Sequence, residues 1–282
     1  MDDYIKISIG LAVSIITAII TYFLTLRSNE AKVKIEILKE QKYKFFLPFK
    51  FACNEFMHRL IHIEERLSNP ELKHIKTHFQ QNFENKDINW FYTDWYNPEI
   101  ENMKPGGYFL TSTIYMNCIL YQKINALLKE YPFLQVKLEQ NLDEIIEDEK
   151  QIELEKYYKL IINKPEKHYR IIKQLKKIKF KQKRLSVKEL TLNIRTATIM
   201  KNGIPYALQD SFGDFVTKNH EIINYDDFVK LLIDKDSRIK FKLIIEFWTS
   251  LVDNTGIPNE QKLDKIRALI IFLTMIDKAI MK

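Results

Sequence analysis

A chain of 282 residues with 46% hydrophobic and 29% charged side chains can bury a sizeable core, and this composition excludes a disordered or fibrous protein. Six glycines and eight prolines supply few of the tight turns that all-β folds need. No Gly-rich phosphate loop, Walker or Rossmann pattern, or Gly-x-Ser-x-Gly elbow is present. The formal net charge of +7 favours anionic partners, and two cysteines without Cys-x-x-Cys spacing argue against a disulfide framework or a thiolate metal site.

The chain opens with Ile7–Leu26, twenty residues without a charged side chain, a length that matches a hydrocarbon layer of roughly 30 Å at ~1.5 Å per helical residue. Tyr4 and Tyr22 sit near its ends, where amphipathic rings favour an interface. The acidic leader Met-Asp-Asp-Tyr and the absence of an Ala-x-Ala site argue against a cleaved signal. Only Lys6 precedes the run, whereas Arg27, Lys32, Lys34, Lys39, Lys42 and Lys44 follow it, which predicts a cytoplasmic C-terminal part. Gly10, Ser14 and Ala18 recur every fourth residue, a small-residue stripe that lets helices approach closely and so marks a candidate self-association face.

Helical spacing continues over Ser28–Ser68, through Ile35, Leu38, Tyr43 and Phe46 and then Phe49, Cys53, Phe56, Leu60 and Ile63, with a kink predicted at Pro48. Glu71–Gly107 is irregular and holds the aromatic cluster Trp90–Tyr96, read as a loop over the core, with a base-stacking or partner surface as the alternative. A helix is predicted over Thr111–Lys129, a second from Leu134 to Ile162 and a third from Pro165. The last two are opposite in charge. Eight acids between Glu139 and Glu155 face eleven basic residues between Lys164 and Lys188, which suits an antiparallel hairpin. Ser186–Lys201 follows as a helix, then Phe228–Ile233 capped from Asn224, Ser237–Val252 capped from Asp236, and a terminal helix opened by Pro258.

Few residues point to chemistry. His58 with His62 and His74 with His78 are His-x-x-x-His pairs, each able to place two imidazoles on one helix face, and together a possible four-nitrogen zinc set. Lys173, Lys176, Lys177, Lys179, Lys181, Lys183 and Arg184 form a basic patch able to neutralise several phosphates, although the preceding acidic helix can absorb that field. Cys53 and Cys118 lie in apolar runs, as buried small hydrophobes do. Neither catalytic residues nor a cofactor is expected.

Gly107-Tyr-Phe-Leu-Thr-Ser-Thr-Ile-Tyr-Met116 with Leu120–Leu127, and the terminal segment Arg267–Asp277, resemble uncharacterised bacterial single-span proteins with a cytoplasmic helical domain. The resemblance implies an architecture and no activity. The expectation is therefore an all-α protein: one N-terminal transmembrane helix, then a multi-helix cytoplasmic bundle with a long helical hairpin. Residues 1–26 would anchor it in the inner membrane with the N-terminus outside, 27–68 would form a juxtamembrane helix, and 69–282 the cytoplasmic domain. Its expected role is a self-associating interaction module whose partners are the lipid bilayer, further copies of the chain and a protein partner. The alternatives are a membrane-acting effector of a bacterial defence or toxin system, or a membrane-held nucleic-acid binder.

Overall fold

The computed structural model describes residues 2–68, 86–93, 106–132, 135–138, 184–198, 204, 206–219, 221–252, 257–277 and 279–281. The protein is mostly helical, as its apolar periodicity requires. Its contacts divide into two units, Met1–Leu47 and Pro48–Lys282.

The first unit is dominated by α1 (Asp2–Gln41), which passes into a π-helical turn at Lys42–Phe46. The described apolar side chains of α1 are exposed, among them Ile19, Ile20, Tyr22, Phe23, Leu24, Leu26, Val33, Ile35 and Ile37. The single-span expectation is corrected here. Among the described residues no helix is long and apolar enough to cross a membrane. The described side chains of the apolar run begin at Thr17 and end at Leu26, before Arg27, and side chains ahead of Thr17 lie outside the description. The inner-membrane placement, with the N-terminus outside, falls with the span.

The second unit begins with α2 (Leu47–Ser68) from Pro48 onward, whose predicted apolar face is buried: Phe49, Cys53, Phe56, Leu60 and Ile63 have essentially no exposed surface. Next in the chain are α3 (Ile88–Tyr92) and α4 (Tyr108–Glu130), the latter starting one turn before the predicted Thr111. Gly106 and Gly107 are there because α3 comes close. A Cβ on Gly107 would sit 2.1 Å from the Trp90 ring, and one on Gly106 would sit 1.9 Å from the Thr93 carbonyl oxygen. The aromatic cluster thus divides, with Phe91 buried and Tyr92 exposed, while Asp94–Tyr96 lie outside the described residues.

Around α4 pack α5 (Val187–Thr198), α6 (Tyr206–Phe215), α7 (Tyr225–Ile233) and α9 (Lys242–Thr249). α6 comes close to α4, where a Cβ on Gly213 would come within 2.7 Å of the Gln122 amide nitrogen. Between α7 and α9 lie α8 (Lys235–Arg238) and a 3₁₀ turn at Ile239–Phe241. The last helix, α10 (Glu260–Asp277), is buried on nearly every side from Leu263 to Ile276, as a mainly apolar core helix must be.

Helix starts follow local chemistry. Ser186 and Glu189 form a reciprocal capping box on α5: the Ser186 amide donates to Glu189 Oε2 at 2.8 Å, and the Glu189 amide donates to Ser186 Oγ at 3.2 Å. Asn224 caps α7 as expected, accepting from the Asp227 amide at 2.8 Å. The cap in front of Ser237 is Asp234 and not the predicted Asp236. Its carboxylate has the three-residue reach to the Ser237 amide, 2.8 Å away, whereas Asp236 already lies inside α8.

The structure also carries strands that the sequence reading omitted. β1 (Gln135–Lys137) is the centre of a three-stranded antiparallel sheet, with β2 (Arg184–Ser186) on one side and β5 (Ile280–Met281) on the other. Gln135 faces Ser186, Lys137 faces Arg184, and Val136 faces Met281. The helix predicted from Leu134 is thus a strand at its start. Exposed Gln135 and Lys137 alternate with buried Val136 and Leu138, a period of two that is too brief to stand out. The rest of the predicted charged hairpin lies outside the described residues. A small hairpin, β3 (Thr217–Lys218) with β4 (Glu221–Ile222), turns at Asn219, whose φ of 53° is the left-handed conformation that asparagine tolerates.

Candidate interaction surface

Ile19, Ile20, Phe23, Leu24 and Leu26 are between 40% and 62% exposed, and at about 100° per residue they share one stripe about 160° wide on α1, with Thr17, Thr21 and Thr25 on the opposite side. Such a stripe normally packs against something. Gly10, Ser14 and Ala18 belong to the same helix, and their side chains lie outside the described set. Thr21 and Thr25 donate to the carbonyls of Thr17 and Thr21 at 2.8 and 2.7 Å, so these hydroxyls are satisfied within their own helix and carry little polarity outward.

The described residues of the second unit include polar centres that the sequence reading did not identify, three of which follow. The first is Arg267, fully buried on α10. Its Nε donates to Glu64 Oε1 at 2.7 Å, Nη1 to Asp264 at 2.9 Å and Glu260 at 3.2 Å, and Nη2 to Ser68 Oγ at 3.3 Å. Burial works against the guanidinium charge, but Glu64 and Glu260 outweigh it and hold the pKa above its ordinary value. Glu64 and Asp264 are themselves buried, and Glu64 also accepts from the Ser68 hydroxyl at 2.8 Å, so the centre ties α2 to α10 through paired buried charges. The cue in the sequence is faint. Glu260, Asp264 and Arg267 interrupt an apolar helix at spacings of four and three, which puts them on one face.

The second centre is Tyr225. Its hydroxyl donates to the Phe91 carbonyl at 3.0 Å and lies 2.5 Å from Thr111 Oγ1, joining α7, α3 and α4. Burial pushes the phenol well above its usual range. The rings of Tyr92, Tyr108 and Tyr115 surround it edge-on. In the third, Lys262 Nζ donates to the Ser250 carbonyl at 3.2 Å and also meets Ser250 Oγ, closing the C-terminal end of α9. Partial burial lowers the lysine pKa. Ser250 Oγ donates to the Phe247 carbonyl at 2.9 Å, so the pair is a helix terminus satisfied by a cation.

The predicted ligands and patches are only partly described. His58 and His62 are exposed one turn apart on α2, and His62 Nδ1 lies 3.8 Å from Glu65. His74 and His78 lie outside the described residues, and among those described no group of three or more His, Cys, Asp or Glu is placed to hold a metal ion. Of the basic patch only Arg184 is described, exposed on β2. Lys173, Lys176, Lys177, Lys179, Lys181 and Lys183 fall outside. Both cysteines are free and buried. No family model, curated protein or solved structure matches this chain.

Proposed function

We propose that the protein is a helical interaction module that assembles with further copies of itself through α1. The observation behind this reading is the stripe of exposed Ile19, Ile20, Phe23, Leu24 and Leu26. Burial is worth about 25 cal/mol per Å² of apolar surface, so leaving these side chains in water is costly and their removal drives association. The Gly10, Ser14 and Ala18 stripe adds a face where a neighbouring helix can come close. The body from Pro48 onward is the part that association would bring together in several copies.

Sedimentation equilibrium on the full chain tests this. The expected result is a mass that is a multiple of 33.8 kDa. Phe23→Glu with Leu24→Glu should return the mass to that of a monomer while leaving the helical circular dichroism of the body intact. A monomeric full-length chain at tens of micromolar would overturn the reading. So would a monomer that instead partitions into lipid vesicles.

A further inference from the structure

We propose that Lys42–Pro48 is a joint built into the long helix, at which the hydrogen-bond ladder of α1 is uncoupled from that of α2. Two independent features fall on the same few residues. The helix opens into a π turn over Lys42–Phe46, where pairing runs to the fifth residue and one extra residue is accommodated. Pro48 follows two residues later, with no amide to give the Lys44 carbonyl and a ring that crowds it.

Side-chain environments change at the same place. Val33, Ile35, Ile37 and Tyr43 are exposed, whereas Phe49, Ala52, Cys53 and Phe56 are buried. A proline alone would remove one bond and bend the helix, and a π turn alone would shift its phase. In tandem they place the weakest rungs of the ladder at the point where core packing begins. Opening there would spare the residues of α2 that carry the core, so α1 can bend, fray or change partners without unzipping Phe49–Ile63. The joint does not depend on what α1 binds.

Amide hydrogen exchange on the full chain tests the joint. Amides of residues 42–47 should exchange about tenfold or more faster than those of Ala52–Ile63, with slower exchange again at residues 30–40. Deleting Tyr43 together with Pro48→Ala, which restores an unbroken α-helical register, should bring the protection of the segment close to that of α2. Pro48→Ala alone, which leaves the π turn, should give an intermediate rate. The proposal is overturned by protection of 42–47 equal to that of 52–63, by equally fast exchange from 30 through 47, or by fast exchange that persists in the doubly altered chain. A chain monomeric in sedimentation that still shows the local minimum in protection would separate failure of self-association from failure of the joint.

Discussion

Arg267 is the residue with the least room for replacement. Arg267→Met would strand Glu64 and Asp264 as buried carboxylates without their cation, and a loss of about 3–5 kcal/mol is expected in denaturant titrations. Glu64→Gln keeps an acceptor for the Arg267 Nε–H, so its cost should be smaller, about 1–2 kcal/mol. Gly107 is constrained by space and not by charge. Gly107→Ala drives a methyl against the Trp90 ring and should cost about 1–3 kcal/mol in the same measurement. Cys53 and Cys118 are legible from their apolar neighbours, and burial raises both thiol pKa values. Neither should react with a thiol reagent in the native protein, and both should react once it is unfolded.

At the level of elements, the readable features were those whose cause is local. The Asn224 cap, the Thr111–Lys129 helix and the buried face of α2 follow from residue type and a spacing of three or four. Asp234 and Asp236 both precede Ser237, and only the geometry of capping chooses between them. The β1 and β2 stubs escaped because two or three alternating residues do not make a pattern until their partners, 51 positions apart for Gln135 and Ser186, are brought together. The caps also predict how the protein answers acid. Hydrogen bonds from Ser186 to Glu189 and from Ser237 to Asp234 hold these carboxyls below their ordinary pKa, and Lys230 does the same for Asp227. Depressed folded-state values mean that the stabilisation is complete above the unfolded carboxylate range of about 4, and is lost as pH falls through the lower folded values. Amide protection in the first turns of α5, α7 and α8 should therefore decline below about pH 4, ahead of the core of α10.

For the molecule as a whole, the helical class was legible and the long-range ties were not. Arg267 meets Glu64 across 203 positions and Tyr225 meets the Phe91 carbonyl across 134, distances over which no periodicity speaks. The apolar run at the start was read as a bilayer anchor from its length. Among the described residues no helix meets that requirement, which leaves the exposed apolar stripe of α1 as the feature to be explained.

The pairing of Lys137 with Arg184 has a topological consequence. It brings the two ends of residues 139–183 side by side, so a short link could join β1 directly to β2 with their register kept. Replacing residues 139–183 with Asn-Gly, a two-residue hairpin link, should leave a body that still unfolds in one cooperative thermal transition. A body that loses that transition would show that the insert is part of the core and not a passenger on it.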